Sequence, residues 1–178
     1  EDTLSLHDAL PIWLASAFAT PTARFGSLST AFVRSAAAEI GMPVRSPLGL
    51  IGRVLEVGHV TSRVLLVTDS ESLVPVRRAS DSIPGFAQGR ADGTLQIRLI
   101  SLGINPLKRG DAFVTSGTGG LFRPGTPIAI VDTITRDGAI ARLLSDPAAS
   151  EFVAVEPIWT AQPTDLPQAP ASGGPARP

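Results

Sequence analysis

The chain has 178 residues, 43% of them hydrophobic, which is material for one ordinary domain or two small ones. A net charge of -1, no tyrosine and 5% aromatic residues leave neither a basic footprint nor a stacking platform for nucleic acid. With no cysteine there is no disulfide framework, no thiolate zinc site and no cysteine nucleophile, while the compartment stays open, because an oxidising one permits disulfides without requiring them.

Residues 1–12 fit no pattern that follows and read as an artefact of sequence assembly or a disordered terminus, so residues 1–21 are set outside the fold. The apolar run 12–19 is about half of the ~20 residues a membrane span needs and lacks the basic flank of a signal peptide, so no anchor is expected in the chain. A strand is predicted over 25–33, then one helical turn over 35–41 with Ser35 as N-cap and Gly41 as stop. From Gly41 the chain runs through a short strand, a Ser-Pro-Leu-Gly bend and a strand over 50–57. His59 follows in a turn, and the nearly continuous apolar run 63–67 reads as a strand covered on both sides. Val74 and Val76 alternate with Pro75 and Arg77. Proline cannot donate to a ladder, so this strand is placed at an edge or beside a bulge.

Past a turn at 81–84 comes a short piece over 85–90, and Asp92-Gly93 between two strand candidates signals a hairpin. Leu95, Ile97 and Leu99 face one way, with Gln96 and Arg98 opposite, and residues 101–109 form a loop. In 110–131 a strand with Ala112, Val114 and Ser116 on one face runs into a glycine cluster, a Pro-Gly turn and a strand with Ile128 and Ile130 on one face. That strand continues to 134, turns at Arg136-Asp137-Gly138 and pairs back over 139–144. A short helical turn over 146–150 precedes a last strand over 152–156. Residues 161–178 are Pro, Ala, Gly and polar, with too little apolar surface to offset their ordering entropy, and are expected to be a disordered tail.

Segments 41–57 and 110–131 are built alike, which points to a duplicated all-β element. The chain therefore reads as all-β: two small six-stranded-type β-barrels in tandem with little helix. The first is placed over 22–76 and the second over 77–160, with strands at either end free to cross into the other barrel.

The order and spacing of several short runs carry a family resemblance. They are Gly49, Gly52 and Arg53 in GLIGRVLEVG; Ser62, Arg63 and Asp69 in SRVLLVTD; VPVR at 74–77; Gly110-Asp111; Thr115, Ser116, Gly117, Gly119 and Gly120 in VTSGTGG; and Pro124-Gly125 closing F-x-P-G. Together they resemble the family of the rod shape-determining protein MreC over roughly 29–158. Two positions depart from the pattern: Ala129 stands where a glycine is usual, and Arg123-Pro124 where a proline pair is. The resemblance implies a non-enzymatic scaffold of bacterial cell elongation, without a cofactor, with its β domains in the periplasm and its anchor in the inner membrane. It implies as partners the cytoskeletal protein MreB, the membrane protein MreD and the elongation transpeptidase with its glycosyltransferase partner, together with self-association. The family's transmembrane helix and coiled coil are not among these residues, so membrane attachment is expected to lie in a segment N-terminal to them.

Chemical readings compete with the scaffold. His59, Asp69 or Asp111, and Ser116 follow the order of a serine-protease-like double-barrel enzyme, with glycines after the serine for an oxyanion hole. No Gly-Asp precedes Ser116 to shape such a loop, and a lone histidine in a turn is far more often solvated than catalytic. Gly117-Thr118-Gly119-Gly120 lacks the lysine and the following helix of a phosphate cradle. No side chains stand at metal-ligand spacing; Glu39 and Glu56 read as surface charges. No catalytic, cofactor or metal residue is assigned. Protein contact is left, through loop tips and edge strands. Leu121, Phe122 and the strand at 73–78 are the candidate interface, against the alternative that Leu121 and Phe122 close the core of their own barrel. A generic interaction module is the same reading without the family.

Overall fold

Apolar side chains at every second position bury one face of a strand and expose the other, and this period governs most of the chain. The computed structural model describes residues 13–18, 30–34, 38–100, 105–150 and 152–160. They contain the strands β1 (Trp13–Phe18), β2 (Thr30–Arg34), β3 (Pro43–Ser46), β4 (Gly49–Val57), β5 (Ser62–Leu66) and β6 (Leu73–Arg78). The remaining strands are β7 (Pro84–Gly89), β8 (Thr94–Leu99), β9 (Ala112–Thr115), β10 (Pro127–Thr135), β11 (Gly138–Leu143) and β12 (Phe152–Val155). A 3-10 turn at Pro147–Ala149 is capped by Asp146, whose side chain accepts from the Ala148 N–H.

The strands close into two six-stranded barrels, β1-β12-β3-β4-β5-β2 and β10-β11-β8-β7-β6-β9. The two cycles have the same topology. In the second barrel β6, β7 and β8 form one meander, β9, β10 and β11 form another, β6 joins β9, and β8 joins β11. The first barrel repeats this pattern with β12 in the place of β6, followed by β1 to β5 in order. The duplication is therefore present, and one copy is circularly permuted.

Several expectations are corrected by this topology. The boundary placed between residues 76 and 77 falls inside β6, which belongs wholly to the second barrel, while β12 returns to the first. Residues 13–18, set outside the fold, form β1, because the first barrel cannot close between β12 and β2 without a strand there. β6 is not an edge, since it pairs with β7 on one side and β9 on the other. Pro75 is tolerated because it sits just past the end of the β6–β9 ladder, where its carbonyl still accepts from the Ser116 N–H at 3.1 Å. On β9 Ala112 and Val114 do share one face, the half-exposed one, and Phe113 and Thr115 are buried on the other. A register shift between Pro127 and Ala129 turns both Ile128 and Ala129 inward and leaves Ile130 half-exposed. Glu39 to Met42 make a turn, closed by the Met42 N–H to the Glu39 carbonyl at 3.2 Å, not the end of a helix. Ser35 and the tail over 161–178 lie outside the described residues.

Each barrel has its own interior. Val33, Val44, Val54, Val64 and Val155 fill the first; Val76, Leu95, Ile97, Phe113 and Val131 fill the second. Branched side chains suit this space, because a small barrel has room only for what its own strands point inward. The barrels meet where β4 approaches β10. Leu50 on β4 is buried among the second barrel's residues. Ser46 Oγ and Ser145 Oγ, both buried, lie 2.6 Å apart across the junction. At Gly52 a Cβ would stand 2.1 Å from the carbonyl oxygen of Leu65 on the neighbouring strand, so only glycine lets β4 and β5 pack here. Gly52→Ala should therefore cost about 1–3 kcal/mol. At about 2–4 °C per kcal/mol for a chain of this size, calorimetry should read a fall in melting temperature of several degrees.

Candidate functional site

The glycine loop between β9 and β10 sits where the two barrels and the last described residues come together. Thr115 ends β9, fully buried, and its backbone closes the loop: its N–H donates to the Thr126 carbonyl and its carbonyl accepts from the Gly125 N–H, both at 2.9 Å. The Thr115 hydroxyl adds a second tie, donating to the Arg123 carbonyl at 2.5 Å and accepting from the Thr126 N–H at 2.9 Å. Between these ties the chain must reverse repeatedly, and Gly117, Gly119, Gly120 and Gly125 do so at φ of 82°, 83°, 66° and 86°. At Gly117 a Cβ would also press on the Pro124 ring at 3.0 Å.

Those reversals drive Phe122 inward. Phe122 is 4% exposed and packs in the core of the second barrel, so of its two readings the structure bears out the one in which it closes its own barrel, and not the contact surface. Leu121 packs against the same core but stays half-exposed, and it faces Gly41 of the first barrel, where a Cβ would lie 3.7 Å from it. Ile158 lies beside Gly41 as well, and the Trp159 N–H reaches the Leu121 carbonyl at 3.4 Å. The loop is thus a seam that joins the second barrel to Gly41 and to the segment after β12.

The serine-protease-like constellation does not assemble. His59 is exposed at the β4–β5 turn of the first barrel. Ser116 Oγ accepts from the Thr118 N–H at 3.2 Å inside the glycine loop. Asp69 accepts from the Glu71 N–H at 2.7 Å, and Asp111 is committed to Arg78. Among the described residues no group of His, Cys, Asp and Glu could hold a metal ion. A groove of about 640 Å³ runs from Leu66 and Thr68 to Thr94, Arg142 and Pro147. Its two carboxylates are spent locally, Asp92 on Thr94 and Asp146 on the Ala148 N–H.

The other signature positions have structural work. At Gly49 a Cβ would meet the Pro127 carbonyl oxygen at 2.6 Å, so the barrels approach backbone to backbone there. Arg53 stands half-exposed on β4. Ser62 is fully buried, its hydroxyl without a hydrogen-bond partner among the described residues. Arg63 pairs with Glu56. Gly110 turns at φ 93° and donates to the Val131 carbonyl at 2.9 Å, leading into Asp111.

Asp111 belongs to a charged cluster that was not singled out as such. Arg78, 10% exposed at its side chain, pairs with Asp81 and with Asp111 at 2.8 Å, and donates to the Pro106 carbonyl at 3.0 Å. It ties the end of β6 to the turn after it and to the loop before β9. The signal was present in the alternation, since Val74, Val76 and Arg78 share the inward phase of one strand. The hydrogen bonds that Arg78 donates to Asp81, then to Asp111, hold the guanidinium charged more firmly than usual. Burial pushes the Asp111 carboxyl up, but the Lys108 N–H and then Arg78 outweigh it and hold it below the usual carboxylate range.

The description "Rod shape-determining protein MreC, barrel core" fits residues 34–156. The "Cell shape-determining protein MreC" of Haemophilus influenzae is 36% identical over 103 residues, which is 57% of this chain and 29% of that protein. Its Escherichia coli counterpart is 38% identical over 98 residues, 54% of this chain and 26% of that one. The chain thus spans under a third of the length of these relatives. Among solved structures, MreC from Pseudomonas aeruginosa superposes with a TM-score of 0.73 at 24% identity, covering 82% of this chain and 98% of that one. A "Complex between Penicillin-Binding Protein (PBP2) and MreC from Helicobacter pylori" superposes at 0.54 and 16% identity, covering 82% and 99%.

Two outcomes follow from the seam and the cluster. Phe122→Ala should cost about 3–5 kcal/mol, the range for emptying a buried aromatic site, and show as a large loss in the thermal transition. For Asp111 the folded value lies below the unfolded one of about 3.9, so its stabilisation is complete above that value and is lost as pH falls through the folded value. Asp111→Asn should lose about 1–3 kcal/mol at neutral pH. Melting temperature measured from pH 7 down to 3 should then fall less steeply in the variant than in the parent.

Proposed function

This chain belongs to the MreC family, and we propose that it acts as a non-catalytic scaffold of bacterial cell elongation, maintaining cell shape by organising peptidoglycan-synthesis enzymes through its barrels. The observation that carries this reading is the pair of closed barrels. Among the described residues every strand is hydrogen-bonded on both sides, so partners meet walls and loop tips there, not an open sheet edge. Such a body presents large fixed surfaces, and among the described residues no nucleophile is assembled, which suits holding proteins together.

The proposed place of work is the periplasmic face of the inner membrane, attached through a segment outside these residues; a neighbour described as a "major periplasmic domain from the cell shape-determining filament MreC" supports the compartment and self-association. The elongation transpeptidase is the first partner, supported by the Helicobacter pylori complex. Its glycosyltransferase partner, MreD and MreB are proposed with it on the family alone. Leu121, half-exposed at the seam, is the loop residue proposed to contribute contact, in place of the buried Phe122.

Immobilised full chain, offered the periplasmic domain of the transpeptidase from its own cell, should retain that domain, and sedimentation should show concentration-dependent association of the chain alone. A monomer that captures nothing would return the protein to an unassigned double-barrel module.

A further inference from the structure

The first barrel is closed by a strand that belongs, by chain connection, to the second. β12 holds the place in the first barrel that β6 holds in the second, but β6 runs through a turn straight into its neighbour β7, whereas β12 has no chain link to β1 or β3. The strand that precedes it in the chain is β11, in the other barrel. β12 is also aligned on β3 only through Ala154 with Arg45 and Val155 with Val44, fewer positions than any other two neighbouring strands share among the described residues. A bond from the Glu156 N–H to the Pro43 carbonyl at 2.9 Å and the Arg45–Glu156 ion pair extend that short ladder.

The connection to β12 is built as an arm. Past Ser145, buried against Ser46 at the junction, the chain makes the 3-10 turn Pro147–Ala149, which buries none of its residues. Asp146 and Ser150, on either side of the turn, are already extended, at φ, ψ of -82°, 115° and -93°, 106°. The turn is held on Asp146: its carboxylate accepts from the Ala148 N–H at 2.9 Å, and its carbonyl accepts from the Ser150 hydroxyl at 2.8 Å and the Ala149 N–H at 3.3 Å. Water replaces such surface bonds at little cost, and the fixed φ of Pro147 suits an extended chain. Straightened, the stretch between Ser145 and Phe152 spans about 20 Å.

We infer that β12 is exchangeable: the first barrel of one chain takes the β12 of a second copy, in the slot between β1 and β3, and copies are joined by that strand. The fit of this occupant is already on display, because the slot is filled by the identical strand, with Val153 and Val155 in the apolar interior and Glu156 on Arg45. Every strand pair of the closed barrel is kept in the joined form. The two forms therefore differ in the arm and in the cost of bringing chains together, not in an unpaired ladder. Reciprocal exchange gives a closed pair of chains, and exchange passed from copy to copy gives an open row. The inference rests on the self-association in the scaffold reading and adds the element that carries it.

The chain has no cysteine, so introduced thiols report position without interference. Full chains carrying Arg45→Cys, and full chains with a longer affinity tag carrying Ala154→Cys, are unfolded and refolded together at high concentration, then treated with a short reagent that bridges two thiols. Both positions face outward, and the thermal transition is measured for each variant. Exchange sets the thiol of one chain beside that of the other, so mixed pairs should exceed pairs of either variant with itself by about tenfold or more. Sedimentation should show the parent associating. The double variant Arg45→Cys/Ala154→Cys, bridged at high dilution by a reducible reagent that locks β12 at home, should lose that association and regain it when the bridge is reduced. Mixed pairs no commoner than like pairs overturn the exchange, as does a locked chain that associates like the parent, and both leave association through finished surfaces standing. A parent that stays monomeric overturns the exchange and self-association together, while its retention of the transpeptidase domain in the same buffer keeps the rest of the scaffold reading.

Discussion

Closure is the constraint on which the rest of this structure depends. A strand of a small sheet leaves a row of unpaired N–H and C=O groups on any side without a neighbour, and those groups are costly unless something pairs them. Six short strands solve this by running round to meet themselves. The second barrel does so with six consecutive strands, β6 to β11. The first has only five strands before the chain moves on, and the gap between β1 and β3 is filled by β12, which arrives after the whole second barrel has been made. The inward valines of β12, Val153 and Val155, complete the apolar interior as its backbone completes the ladder.

That late return makes the two barrels one folding problem. Contacts of long sequence separation must form before they stabilise anything, and the β12 pairing with β3 spans the entire second barrel. The junction is built to match. Leu50 leaves the first barrel's wall to sit in the second barrel's core, Gly49 admits the Pro127 backbone, and the buried serine pair Ser46–Ser145 satisfies its own polar groups across the boundary. The glycine loop adds the third element, its Leu121 meeting Gly41 and Trp159 just after β12 has closed its ladder. Signature glycines therefore cluster where one backbone must pass close to another, and not around a reactive side chain.

What could be read from residues alone divides along the same line. Local signals were sufficient for most strands: the alternation of Leu95 and Ile97 against Gln96, the Asp92-Gly93 turn at φ 84° for the glycine, and the short capped turn after Asp146 all stand as read. The likeness of 41–57 to 110–131 was legible too, as β3–β4 and β9–β10 hold equivalent places in the two cycles. Closure was not legible, because it is a property of distant pairings. Pro75 argued for an edge on sound local grounds, yet the ladder with β9 simply stops beside it. The bulge at Ile128 reversed a two-residue period that the bare sequence shows as regular. Phe122, apolar among glycines, was open to both a core and a contact reading, and the positive φ angles that fold it under are what decide between them.

Among the described residues no strand keeps a free edge, so strand addition is not offered there and partners must recognise side chains on finished walls. This places function where fold imposes least. Inward positions are filled by the needs of packing, and the seam by the needs of close approach. The outward positions of β6, β7, β8 and β11 are bound by neither, since polar residues of any charge would keep the barrel folded there. Arg77, Arg98 and Arg142 stand there without an ion pair among the described residues. The opposite treatment is seen a few residues away. Arg78, one position beyond Arg77, points inward and is neutralised by two aspartates and a carbonyl. Adjacent arginines on one strand are thus handled in opposite ways, Arg78 neutralised within the fold and Arg77 turned outward, where it donates to the Ser82 hydroxyl at 3.0 Å.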